Sequence, residues 1–397
     1  MNGKPIQLLK ALEEKKPKWI EGIENTRQMV LSNLAMISQV HAVPFQEEQR
    51  ASLLLERYIA SGIDEPNADT VNNVIGTLPG RKGERRILVF ANMDHMTDMQ
   101  IDQGITITKD KVLGRGVAED TIALAALITL PDILNRIGLK LDSDLILLAT
   151  SRSHGRGDLG GIRHFMKMHH NTIDFSLNLV GTPLGNINYF SLSRVRCDIS
   201  CRVDLDPNST WGRFSNTSAI LAINGIVNEL TRIPLPRSPK TVINFGMISG
   251  GERYSTISTQ AELKLEVLSE DDKLMEQVME EIHDRCMDIG AKYDVIITSD
   301  FFGRMAAAGL HYSHPLVKTA VNIISSLGYR PIMAYNNSGL AIPLSYSIPS
   351  VCLGITTGEW STGTRGSVDI APIPIGLLQI IMVLYAIDKG YCDERDA

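Results

Sequence analysis

Two incompatible strand patterns share this chain, and together they restrict its architecture more than any other feature. Residues 194–203 alternate strictly, with Val195, Cys197, Ile199, Cys201 and Val203 on one side and Arg196, Asp198, Ser200 and Arg202 on the other. A period of two belongs to an antiparallel strand with one face in water. Residues 86–91 (RILVFA) and 145–150 (LILLAT) are instead nearly continuous apolar runs, as expected of strands covered on both faces in a largely parallel sheet. Two modules are therefore required.

The order of elements says how the modules are arranged. The segment up to about residue 62 reads as helical, with Leu9, Leu12, Trp19, Ile23, Met29, Leu31 and Leu34 at three- and four-residue spacings and a further helix over 45–60. Strands at 71–78 and 86–91, a helix at 121–137, a strand at 145–150 and a helix at 158–169 then form a β/α alternation. After residue 185 the pattern changes to a strand (194–203), a helix (217–231), strands at 242–249 and 261–268, a helix (272–289) and a strand (294–300). This β-α-β-β-α-β order is that of a ferredoxin-like module. The PLPRSP loop at 234–239 is a stiff connector within it. The α/β pattern resumes with a helix at 316–327, a strand at 350–353 and an apolar helix at 373–388. The expected division is an α/β domain in two parts, 1–190 and 305–397, interrupted by a smaller α+β domain at 191–304.

Composition sets the functional class. A chain of 397 residues, 44% hydrophobic and 21% charged, is globular and long enough for two cores. No stretch reaches the ~20 unbroken apolar residues of a membrane helix, and the charged N-terminal pattern lacks the apolar centre of a signal peptide. A cytoplasmic location and no membrane association are expected. A net charge of −6 without a basic patch argues against nucleic acid. The five cysteines are odd in number and form no C-x-x-C pair, so they read as reduced core thiols.

Six segments in order carry a family resemblance: ILVFANMD (87–94), GRGVAED (114–120), ATSRSHGRGDLGGIR (149–163), WGRFSNTSAI (211–220), NFGMISGGERYSTI (244–257) and AIPLSYSIPSVCLGITTG (341–358). The chain resembles the aminoacylase, glutamate carboxypeptidase and peptidase-T-like family of di-zinc exopeptidases. The resemblance implies a zinc-exopeptidase-like, mostly parallel sheet flanked by helices, an inserted ferredoxin-like lid and dimerisation domain, and a homodimer.

Di-zinc hydrolysis needs five protein ligands, one bridging, with a carboxylate base for the bridging water and a group to hold the oxyanion. In this resemblance the first histidine ligand falls on Asn92, while the aspartate that would orient it is kept as Asp94. The bridging aspartate falls on Glu119. The adjacent base and ligand glutamates fall on Ser153 and His154, the next acidic ligand on Val180 and the last histidine on Thr362. The oxyanion histidine falls near Ser209 and Thr210, and a substrate-binding asparagine on Ser255. Asn92, Val180 and Thr362 thus leave three of five ligand positions without a useful donor, and Ser153 removes the base.

The remaining polar cluster is Asp94, His95, Asp98, Glu119, Asp120 and His154, with Asp158 nearby and Arg115 or Arg156 as neutralising partners. Its plain reading is inherited scaffolding. The alternative is a remodelled site in which Asp94, Glu119 and His154 are catalytic, with Glu119 and His154 holding a single divalent metal or with His154 and Asp94 doing metal-free acid–base work. Arg253, Trp360 and Arg365 are candidate substrate-binding residues, placed by bulk and charge beside the family's substrate segments. A normal zinc hydrolase would require replacement ligands such as His95 or His164. His169–His170 read as a solvated helix end and GRGD (155–158) as a helix start. The functional expectation is a pseudoenzyme with a binding or partner role and no cofactor. The alternative is a remodelled enzyme acting on a peptide- or acyl-amino-acid-like small molecule.

Overall fold

The computed structural model describes residues 3–95, 104–204, 218–254, 256–333, 335, 338–359 and 366–394. The chain divides into two compact units, Met1–Phe190 with Gly309–Ala397, and Ser191–Ala308.

The larger unit is mixed α/β, built on a sheet ordered Asn67–Ala68, Val74–Leu78, Asp144–Thr150, Arg86–Asn92, Phe175–Val180, Ser350–Gly354, Asn186–Asn188, Ile332–Met333. Its four central strands, Asp144–Thr150 through Ser350–Gly354, run parallel and are buried along almost their whole length. That accounts for their unbroken apolar runs. The sheet is mixed: outside these central strands, Val74–Leu78 pairs antiparallel with Asp144–Thr150 and Asn186–Asn188 antiparallel with Ser350–Gly354. Only residues 79–85 separate Val74–Leu78 from Arg86–Asn92. A link that short cannot supply the crossover a parallel connection requires. Phe175–Val180, a central strand, escapes the sequence pattern because Ser176 and Asn178 interrupt its apolar run; both are buried.

Helices Ile122–Ile137 and Ile373–Asp388 are buried on nearly all sides. They share one core with the sheet and with Leu12, Trp19, Ile23, Val30 and Leu34 of the first two helices, Gly3–Glu24 and Arg27–Ser38. Trp19 meets Tyr385 edge to face at 5.5 Å between centroids, a geometry favoured by the ring quadrupoles.

The smaller unit is an antiparallel sheet ordered Thr241–Gly250, Gln260–Ser269, Ser193–Arg202, Ile296–Met305, with helices Ala219–Leu230 and Asp272–Tyr293. Chain order and sheet order together give the ferredoxin-like topology. Val195, Cys197, Ile199 and Cys201 face a core with Ile223, Ile226, Ile282 and Cys286, and Ser200 and Arg202 are exposed. The longer helix begins at an Asp271 cap whose carboxylate accepts from the Leu274 amide at 2.7 Å, satisfying an N–H that the helix cannot.

The packing of Ile373–Asp388 generates a prediction. A Cβ at Gly376 would lie 1.8 Å from the Ile355 carbonyl oxygen, a backbone atom held at the end of a central strand. Alanine favours an isolated helix by about 1 kcal/mol over glycine, whereas overpacking costs about 1–3 kcal/mol. Gly376→Ala should therefore lower stability in urea denaturation despite its better helix propensity. A gain in stability would show that the helix can retreat from the sheet.

Candidate functional site

The parallel strands end on one side of the sheet, where α/β folds place their ligands. Asn92, Val180 and Gly354 terminate three of these strands and line a cleft of about 300 Å³. Glu119, Asp120 and His154 form one wall, and Asn186, Asn188, Tyr335, Ser338 and Cys352 line the rest with Thr182 and Pro183.

A single chain of hydrogen bonds crosses this site. Thr150 Oγ1 donates to Asn92 Oδ1 at 3.1 Å, Asn92 Nδ2 donates to Asp120 Oδ1 at 3.1 Å, and His154 Nε2 lies 2.9 Å from Asp120 Oδ2. The turn that presents Asp120 is a widened, π-helical one over Val117–Thr121, a local expansion common at functional sites. It follows Gly116, whose φ of +66° suits glycine. Gly181 packs against this turn: its N–H donates to Glu119 O at 2.7 Å, and a Cβ there would meet Ala118 O at 2.3 Å. The structure thus gives the contact with Asn92 and His154 to Asp120, where the sequence resemblance had placed the central acid at Glu119. Glu119 lines the same cleft.

Asp94 supports the loop that carries His154. It is fully buried and accepts from the Ser153 N–H at 2.8 Å and the His154 N–H at 3.0 Å, so it fixes the loop that carries His154. That loop holds Arg152, Asp158 and Leu159 at φ of 50°, 47° and 59°, a concentration of left-handed residues typical of functional loops. Ser153 is 5% exposed with its hydroxyl near Thr150, behind the cleft. It has neither the acidity nor the position of a base.

Burying these acids calls for buried cations. Arg50, 2% exposed, donates through Nη1 to Met93 O at 2.6 Å and through Nε to Val40 O at 2.9 Å. Burial lowers its pKa to about 10, against the opposing pull of Asp94 and Asp120. Sequence reasoning missed it, because an arginine in the amphipathic helix Glu48–Ala60 reads as solvent-facing. Burial also acts to lower the His154 pKa, but its hydrogen bond to Asp120 and the charges of Asp120, Asp94 and Glu119 outweigh this and raise it to about 9. The pairing with Asp120 therefore favours the protonated imidazole of His154. Burial, with the charges of Arg50, His41 and His154, takes His95 down to about 3, so its ring is neutral. Burial raises the Cys352 thiol to about 12.

Among the described residues, Glu119, Asp120 and His154 form the group suited to a metal, with donor atoms within 4.8 Å of one another. These residues do not fit two ions. Asn92 has committed its amide to Asp120, Val180 has no donor, and a dinuclear centre needs more ligands than three. His164 lies 3.9 Å from Asp69 and His95 packs against His41, so neither joins the group. Arg253 is exposed in the smaller unit, where it lines a cavity of about 1,120 Å³. Trp360, Arg365, Thr362, Asp98, Ser209, Thr210 and Ser255 lie outside the described residues. Asn186, Asn188, Tyr335 and Ser338 carried no sequence signal, since they reach the cleft from segments remote in the chain.

The Asp120–His154 pair sets a pH dependence. The folded-state pKa of His154, about 9, lies above the ordinary value of 6.5, so its stabilising contribution is complete below pH 6.5 and is lost as pH rises through about 9. Stability should fall over this interval in the wild type, and the fall should be smaller in His154→Ala. That variant should also lose about 3 kcal/mol near neutral pH, because Asp120 is left buried without its cation. Urea denaturation at pH 6 and pH 9.5 measures both effects; identical pH slopes in the two proteins would refute the pairing.

Residues 212–294 match the peptidase dimerisation domain family. No curated protein matches the chain significantly by sequence. Among solved structures, the dipeptidase Dug1p from Saccharomyces cerevisiae is similar with a TM-score of 0.75 at 13% identity, covering 94% of this chain and 98% of its own. Human carnosine dipeptidase 1 gives 0.74 at 10% identity, with 94% and 99% covered. A Bacillus subtilis protein described as a dinuclear metal-binding peptidase of the M20 family gives 0.62 at 15% identity, with 92% and 99% covered. Residues 212–294 are thus a peptidase dimerisation domain, and the chain as a whole has the M20 peptidase fold.

Proposed function

We propose that this protein is a non-hydrolytic binding member of the M20 peptidase fold, acting through the cleft at the strand ends. The observation that carries this reading is the state of Asp120. Each of its oxygens faces a donor of the same chain, Asn92 Nδ2 at 3.1 Å and His154 Nε2 at 2.9 Å, so protein groups already meet two of its four lone-pair sites. Ser153 supplies no base. The five described cysteines are free and buried, in keeping with a reducing, cytoplasmic setting.

A second reading is favoured by the proximity of Glu119, Asp120 and His154. It is an enzyme holding one divalent ion on these three residues and acting on a peptide- or acyl-amino-acid-like compound. Metal quantitation on protein purified without chelator, with hydrolysis assays on dipeptides and N-acyl amino acids, separates the two. The first reading expects well under one equivalent of metal and no turnover. One equivalent, lost in Asp120→Ala and His154→Ala together with activity, would establish the second.

The protein is proposed to be a homodimer through its smaller unit. Thr241–Gly250 is an edge strand of the antiparallel sheet, and it exposes Val242, Met247 and Ile248 at 38%, 48% and 60%. An open apolar edge is a pairing surface for a second copy about a two-fold axis. Ile248→Lys should shift light-scattering mass from dimer to monomer without unfolding either unit. A monomeric wild type would overturn the assignment.

A further inference from the structure

The larger unit holds a second cavity, of about 600 Å³, where the first helix Gly3–Glu24, the helix Pro315–Ser326 and residues 390–394 meet. It lies at the other end of the sheet from the strand-end cleft. Arg85, just before the Arg86–Asn92 strand, donates through Nη2 to Asp393 Oδ2 at 2.9 Å, so segment 390–394 sits where the parallel strands begin. The length of that strand, at ~3.3 Å per residue, separates the two ends by roughly 20 Å.

The walls of this cavity belong to the packed core. Leu8 and Cys392 are 3% and 0% exposed and share one core cluster with the sheet. Lys16 Nζ donates to Ser326 O at 3.1 Å, which ties the two helices together. Its volume lies within the range of small-molecule sites.

Three kinds of surface converge there. Leu8, Leu9, Pro315 and Tyr391 supply an apolar lining. Lys318 and Asn322, four residues apart and so on one face of their helix, add an ammonium and an amide. Asp393 and Glu394 add carboxylates, of which Asp393 is balanced by Arg85 at 2.8 Å.

Glu394 has a different partner. Its Oε1 faces His314 Nε2 at 3.4 Å, while His314 Nδ1 accepts from the Leu316 N–H at 3.1 Å. An Nδ1 that accepts is unprotonated, so the ring offers Glu394 one N–H without a countercharge. Lys318 and Glu394 are both exposed, so a ligand reaches them from solvent. An anion would meet Lys318 but also Glu394, and a cation would meet the reverse. A molecule carrying both charges beside an apolar body complements all three surfaces.

We propose that this cavity is a second ligand site, for a free apolar α-amino acid. Lys318 and Asn322 meet its carboxylate, Glu394 its ammonium, and Leu8, Leu9, Pro315 and Tyr391 its side chain. The assignment is independent of what the strand-end cleft does.

The test is calorimetric titration of the full-length protein with L-phenylalanine and with its single-charge analogues, phenethylamine and 3-phenylpropanoate. The amino acid should bind at least about fivefold more tightly than either, since each analogue forfeits one charged contact. Lys318→Met should weaken phenylalanine binding by roughly 3- to 10-fold and leave phenethylamine unchanged, and Glu394→Gln should weaken it similarly and leave 3-phenylpropanoate unchanged. Asn186→Leu, in the strand-end cleft, should alter none of the three. Circular dichroism verifies that each variant is folded. Absence of phenylalanine binding, equal binding of the three probes, or binding insensitive to both Lys318→Met and Glu394→Gln would overturn the proposal. Binding lost in Asn186→Leu but kept in Lys318→Met would place the amino acid in the strand-end cleft and overturn the second site.

Discussion

Asp94 is the constraint on which the candidate site depends. A carboxylate with no solvent exposure has to be compensated within the protein, and here the backbone N–H groups of Ser153 and His154 do so. Arg50 stands as a buried cation close enough for Asp94 to affect its ionisation. These contacts tie the end of the Arg86–Asn92 strand to the strained loop after Asp144–Thr150, two neighbouring parallel strands of the sheet. Removing the Asp94 charge would release the loop that sets His154 against Asp120.

With the loop fixed, the wall of the cleft becomes a closed hydrogen-bond chain, Thr150 to Asn92 to Asp120 to His154. The donors and acceptors along it are complementary. Asparagine at 92 can donate to Asp120 where a neutral metal ligand would have to share it with an ion, and a histidine at 154 brings the positive charge that Asp120 requires once buried. The acid is stabilised by protein groups, and its stability is coupled to protonation of His154. A scaffold of this kind keeps a polar cleft and a dimer-type module while its chemistry is free to change, because fold and site are separable properties.

Much of the architecture was legible in the residues. Helix Ile373–Asp388 and the strands Arg86–Asn92 and Asp144–Thr150 are apolar enough that only burial explains them. The alternation in Ser193–Arg202 gave its antiparallel, one-sided environment directly. Phe175–Val180 was hidden by Ser176 and Asn178, polar residues that are nevertheless buried. The mixed character of the sheet was hidden because strand direction depends on connection length and pairing as well as on side-chain pattern.

The side-chain chemistry at Asn92, Ser153 and Val180 is also readable in the sequence, since it is a matter of which atoms a side chain possesses. The choice between Glu119 and Asp120 is not, because adjacent acids differ only in direction, and the widened turn at Val117–Thr121 sets that direction. Arg50 and Ser338 are likewise ordinary residues until packing buries them. The sequence by itself determined the two-module fold and which donor atoms stand at Asn92, Ser153 and Val180, because apolar periodicity and donor chemistry are local properties. Only the tertiary structure decided that Asp120 pairs with His154, that Asp94 holds a loop and that Ser338 faces the cleft, because those relations join segments brought together by the ends of the parallel strands.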